Sequence, residues 1–132
     1  MKSEDGQEAL KADVNTRLAL DRTFLAHERT LMGWIRTSGS LISFGFTIYN
    51  FFLYMASIEG KATQRAFGPR EFALAMIGLG IAVLGLAAIQ HGRDIRQMEL
   101  DYGKPYRSLA GKLAAMVSLL GVGLLVIVLF GY

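Results

Sequence analysis

Three arginines stand seven residues apart, at Arg22, Arg29 and Arg36, and the last lies just inside a stretch that carries no charge from Thr37 to Ile58. Seven residues make nearly two helical turns, so on one helix the three guanidiniums share a side and spread over about 20 Å. Each is permanently charged and presents five donors in a planar fork, the chemistry that holds carboxylates and phosphates. None has an acidic residue three or four positions away, and Glu28 has no basic residue at those spacings. Helical neighbours therefore leave these charges unpaired, and their partners must come from another helix, another subunit, a lipid phosphate or a bound anion.

Alternating steps of three and four through Arg36 pick out Arg22, Ala26, Arg29, Gly33, Arg36, Ser40, Ser43, Thr47, Asn50 and Tyr54. Every member is charged, polar or small apart from the amphipathic Tyr54, whereas Leu31, Ile35, Leu41, Ile42, Ile48 and Phe52 fall off the line. A period averaging 3.5 keeps such a row turned toward one neighbour or axis along the depth of a membrane. Arg22, Arg29 and Arg36 are the candidate anion-binding residues, and Ser40, Ser43, Thr47 and Asn50 the candidate polar lining beyond them. A structural reading competes: Arg36 is close enough to the start of the apolar stretch to reach back to lipid headgroups, or to form an ion pair between helices.

The elements that carry this row follow from hydropathy. Slightly over half of the 132 residues are hydrophobic and 19% are charged. Three stretches, about 31–56, 72–90 and 113–130, are long enough to cross roughly 30 Å of hydrocarbon. The rival, a soluble helical bundle, needs a polar stripe on each helix, and "FALAMIGLGIAVLGLAAI" and "LAAMVSLLGVGLLVIVLF" have none. The expected class is all-α, an integral membrane domain of three helices over residues 14–132 with an amphipathic N-terminal cytoplasmic helix at about 14–30. Asn15 or Thr16 is placed to cap that helix, and residues 1–13, polar and without an apolar core typical of a signal peptide, are expected to be a flexible tail.

Ten basic residues lie before the first span or between the second and third, against three in the other link, Lys61, Arg65 and Arg70. The positive-inside rule then predicts a cytoplasmic N-terminus and an external Tyr132. Pro69 suits the first turn of the second helix, while Gly103 and Pro105 suit its end. Gly78, Ala82, Gly85 and Gly121 are candidates for close helix packing.

Other chemistry is sparse. Cysteine is absent, and His27 and His91 are too few to make a metal centre by themselves. Trp34 reads as an interfacial anchor. No nucleophile with a base, phosphate loop or dinucleotide fingerprint occurs, so neither catalysis, a cofactor nor a nucleic-acid partner is expected.

"LALDRTFLAHERTLMGWIRTSGSLISFGF" resembles the YidH-like family of small bacterial membrane proteins through Leu18 and Ala19, Glu28, Arg29 and Thr30, and Trp34, Arg36 and Thr37. That resemblance implies a three-helix layout in the bacterial inner membrane. The same domain is similar to the membrane part of the vacuolar transporter chaperone, a polyphosphate polymerase complex whose first-helix basic residues line a path for the polyanion through a ring of subunits. The likeness implies roles for Arg22, Arg29 and Arg36 with Glu28 as a partner, although this chain has no polymerase domain. It also has Ser38, Gly39 and Ser40 where the bacterial family more often has apolar residues. Two functions are carried forward: a homo-oligomer forming a path for phosphate or polyphosphate, and a non-conducting scaffold binding another membrane protein or anionic lipid.

Overall fold

The two prolines of the chain both lie where helices meet links, and that placement sets the architecture. Residues 2–59 contain no proline, and the computed structural model, which describes residues 2–59, 68–103 and 105–130, has them as one helix, α1 (Lys2–Glu59). Pro69 opens α2 (Pro69–Tyr102), where its missing N–H costs nothing, and the Gly68 N–H is accepted by the Glu71 carboxylate. Gly103 closes α2 in the left-handed conformation at φ 67°, its N–H returning to the Glu99 carbonyl at 2.8 Å. Pro105 sits in the link to α3 (Leu109–Phe130). The external link expected at 57–70 falls mostly on Gly60–Phe67, outside the described residues, as does Lys104.

All three helices are long and apolar enough to cross a membrane, and no strand occurs among the described residues. They run up, down and up: Phe24 stacks on Tyr106 at one end, while at the other Arg70 donates to the last-turn carbonyls of α3 at Val128 and Leu129. A guanidinium on C-terminal carbonyls satisfies acceptors that the helix itself leaves open and complements its dipole. Arg70, counted among the external basic residues by sequence, thus joins the start of α2 to the end of α3.

One expectation needs correction. The first helix begins at Lys2, not near Asn15, so residues 2–13 continue the helix instead of forming a loose tail. Thr16 does not cap: its hydroxyl donates back to the Ala12 carbonyl at 2.9 Å. Glu4 and Asp5 favour the positive end of the dipole, Ala9, Leu10 and Ala12 are good helix formers, and Asp13 pairs with Arg17 at 3.0 Å. Polarity alone does not make a segment irregular. Arg17 thus pairs with Asp13, one turn before it, although Asp21 stands one turn after it.

The core is thin and built on one side of α1. Phe24, Glu28, Leu31, Ile35, Ser38, Ile42, Gly45 and Tyr49 recur at steps of four and three and are buried or half-buried. Leu31 packs with Leu84, Ala87, Ala110 and Ala114, and Ile42 and Tyr49 with Ala73, Ile77 and Val128. α1 and α2 approach closely at Gly80, where a Cβ would stand 2.9 Å from Ile42 Cγ1 and 3.0 Å from the Ser38 backbone oxygen, and at Gly45, where one would stand 3.0 Å from Met76 Cβ. Ser38, fully buried, is small enough to permit that approach.

Of the four residues expected to pack helices closely, only Gly121 does so within the chain, its Cα facing Ile42 and Ile81. Gly78 and Gly85 have open space where a Cβ would be, and Ala82 is exposed. Small residues in sequence show where a backbone can approach, but the face turned to the neighbour was set by Ile77, Leu84 and Ala87, in phase with Gly80. Gly80→Ala is expected to destabilise the fold by about 1–3 kcal/mol through overpacking, with Gly78→Ala close to neutral. Reversible unfolding in mixed micelles would compare them, and equal effects would contradict the packing described.

Candidate functional site: a polar row on the outer face of the first helix

The predicted row lies on the side of α1 away from the core. Arg22, Arg29, Arg36, Ser40, Ser43, Thr47 and Asn50 are all exposed, as are Ala26, Gly33 and Tyr54 between and beyond them. The reason is the shared period: the buried row and the polar row both advance by 3.5 residues, offset by two, so they stay roughly opposite along the helix. Nothing in α2 or α3 covers the arginines. Among the described residues Arg22, Arg29 and Arg36 make no ion pair and no side-chain hydrogen bond.

Beyond Arg36 three side chains of the row donate back to their own helix. Ser40 Oγ donates to the Arg36 carbonyl at 2.9 Å, Thr47 Oγ1 to that of Ser43 at 2.8 Å, and Asn50 Nδ2 to that of Phe46 at 2.9 Å. Such bonds let polar side chains sit in an apolar helix while their oxygens remain free to accept. A second row went unnoticed in the sequence. Thr16, Thr23, Thr30 and Thr37 recur every seven residues, each exposed and each donating to the carbonyl four residues earlier.

Glu28 is placed differently from its arginine neighbours. Its side chain is 16% exposed and reaches the junction of all three helices. The Ser108 hydroxyl donates to Oε1, His91 Nε2 lies 3.3 Å from the same oxygen, and the Ala110 N–H donates to Oε2 at 3.1 Å. Ser108 caps α3 in the usual way, accepting the Gly111 N–H at 2.8 Å, and its Oγ is 2.9 Å from His91 Nε2. With the Ser108 proton committed to Glu28, the arrangement is satisfied when His91 carries its proton on Nε2 and donates. A carboxylate from α1 therefore completes the positive end of α3. The sequence expected Glu28 to make an ion pair with another helix, and the likeness named the arginines as its partners; the structure gives it His91 of α2 together with Ser108 and the first turn of α3.

His27 and Asp94 make a second contact between α1 and α2, 3.4 Å long and partly exposed. His91 is buried. The signal for this cluster was Ser108 ahead of an apolar run, an N-cap pattern; which carboxylate would join it depended on helix pairing. Trp34 is 45% exposed. Among the described residues no group of three or more potential ligands could hold a metal ion.

A bundle of three membrane-length helices, with its charged row turned outward and the part-buried Glu28 carboxylate tied to the start of the third helix, defines a class of membrane protein. Within that class the chain belongs to the family described as domain of unknown function DUF202, whose model matches residues 22–97. The matched stretch contains Arg22, Glu28, Arg29, Arg36 and His91 and stops short of Ser108. No curated protein matches the chain, and no solved structure does.

Proposed function

We propose that copies of this chain assemble in the bacterial inner membrane with the polar rows of α1 around a shared axis, forming a path for anions. Phosphate or polyphosphate is the species that the likeness to the vacuolar transporter chaperone suggests. The N-terminus is cytoplasmic and Tyr132 external, in keeping with the distribution of basic residues. Arg22 and Arg29 gather anions at the cytoplasmic mouth, Arg36 forms the innermost charged ring, and Ser40, Ser43, Thr47 and Asn50 supply acceptors and donors beyond it. The chain acts by binding and conducting, not by catalysis.

A single observation carries this reading: the row is outward and uncovered, on the one helix face that α2 and α3 do not use. Charge and polarity facing lipid are costly, about 2.5–3.5 kcal/mol for an arginine at the bilayer centre on insertion scales and less for one near the interface such as Arg36, with Ser43, Thr47 and Asn50 lying deeper. Neighbouring copies remove that cost by giving every row a polar axis to face. Native mass spectrometry of the protein released from lipid nanodiscs tests it, since a closed ring of several copies is expected and a monomer would end the proposal.

A second reading rests on the same bare guanidiniums together with Arg93, Arg96, Arg107 and Lys112, which are exposed at the same end of the bundle. Here the protein is a non-conducting scaffold whose row docks another membrane protein or anionic lipid. Co-purification of a stoichiometric partner, lost in Arg36→Glu, distinguishes it.

A further inference from the structure

The arginine row has two unlike flanks, and both are bare. On a seven-residue repeat, Leu18, Leu25 and Met32 lie about 50° to one side of the arginines and Ala19, Ala26 and Gly33 about 50° to the other. Leu18 is 51% exposed, Leu25 59% and Met32 37%. On the opposite flank, a Cβ added at Gly33 would meet nothing within 4 Å. A ridge of large apolar side chains and a low flank of small ones thus run side by side, each with the period of the charges between them.

We infer that these flanks are the two halves of one heterologous interface between copies of this chain. The ridge of Leu18, Leu25 and Met32 on one copy seats against the flank of Ala19, Ala26 and Gly33 on the next, all exposed. This rests on the proposed assembly and states how it closes. The occupant is a second copy for three reasons. Identical chains inserted the same way present ridge and flank at the same height. The two repeat every seven residues in step, so all three layers engage together. Large side chains also meet small ones, allowing the helices to approach as a knob approaches a hole.

Geometry then decides what the arginines do. A head-to-tail contact repeated around an axis closes into a ring, whereas a two-fold contact sets ridge on ridge and leaves both small flanks toward lipid. With ridge on flank, the row lying midway between them turns to the axis in every copy. Each charged layer is then built from one guanidinium per subunit and is incomplete in any single chain. Apolar layers at Leu18, Leu25 and Met32 separate the charged layers at Arg22, Arg29 and Arg36. Within a layer the like charges repel, and an anion on the axis relieves them.

The chain has no cysteine, so introduced thiols report without background. Leu25→Cys and Ala26→Cys, at two exposed positions, would be made on separately tagged chains, co-expressed, and oxidised in native membranes. A disulfide needs Cα atoms within about 7 Å, a distance the two unlike flanks reach and two like flanks in a ring do not. The expected result is a cross-link between the two tags, severalfold stronger than either variant forms with itself. Dominant self-cross-linking of Leu25→Cys would show two-fold packing and overturn the interface, as would a mixed sample with no cross-link. Native mass spectrometry of the same membranes separates the two ideas: a ring without the mixed cross-link discards this interface alone, and a monomer discards the assembly with it.

Discussion

Arg36→Gln is expected to insert and assemble normally and to reduce phosphate or polyphosphate flux in proteoliposomes at least about tenfold, since every copy in a ring would lose its innermost charge at once. The substitution removes the charge and leaves a shorter polar side chain, and Arg36 has no ion pair or side-chain hydrogen bond within the subunit that its loss could break. The effect therefore falls on the path and spares the fold. Arg36→Lys, which keeps the charge but not the fork, should retain part of the flux. Arg96→Gln, exposed on α2 and off the row, is the control and should change little. Flux in Arg36→Gln equal to that of the parent protein would remove this residue from the mechanism and favour the scaffold.

Glu28→Ala should have the largest effect on stability. It leaves three donors without their acceptor, the Ser108 hydroxyl, the Ala110 N–H and His91 Nε2, at the meeting point of the three helices. Hydrogen bonds to a charged group contribute about 1.5–3 kcal/mol each on deletion, and stranded buried donors add to that, so a loss of about 2–4 kcal/mol is a moderate expectation. His27→Ala supplies the comparison. The His27–Asp94 contact is 3.4 Å long and more than a third exposed on both sides, so its loss should cost at most about 1 kcal/mol. Unfolding in mixed micelles measures both. Similar losses would mean that the Glu28 carboxylate does not hold α3 in place. Hydrogen exchange adds a local readout, because the first turn of α3 should open in Glu28→Ala and not in His27→Ala.

These variants divide α1 into a face that holds the fold and a face that is free to act. Glu28 and Arg29 are adjacent in sequence, yet one is fastened among the helices and the other projects away from them. Each turn of α1 past the junction repeats the arrangement, with Leu31, Ser38, Ile42 and Tyr49 turned inward while Gly33, Ser40, Ser43 and Asn50 point outward. The buried rows of α1 and α2 are locked together at Gly80 and at Glu28. As a result, the outer row is held in fixed orientation although its side chains bond only to carbonyls of α1 itself.

By itself the sequence determined what depends on local pattern. The length and hydropathy of three segments define the spans, Pro69 and Gly103 mark helix ends, and the steps of three and four through Arg36 define the polar row. All of these arise from interactions within a few turns of one helix, where side-chain chemistry and a fixed 3.6-residue period suffice. The tertiary structure decided which neighbours each face obtains. It turned the arginines away from α2 and α3, gave Glu28 to His91 and to the amides of α3, and made Gly80 a point of close approach while leaving Gly78 and Gly85 in open space. Those outcomes depend on the rotation and register of helices that meet through residues far apart in the chain, as at the Glu28–His91 contact, and they are settled by packing area and the need to satisfy buried polar atoms. A single helix carries the pattern of its faces; only the other helices determine which face is covered.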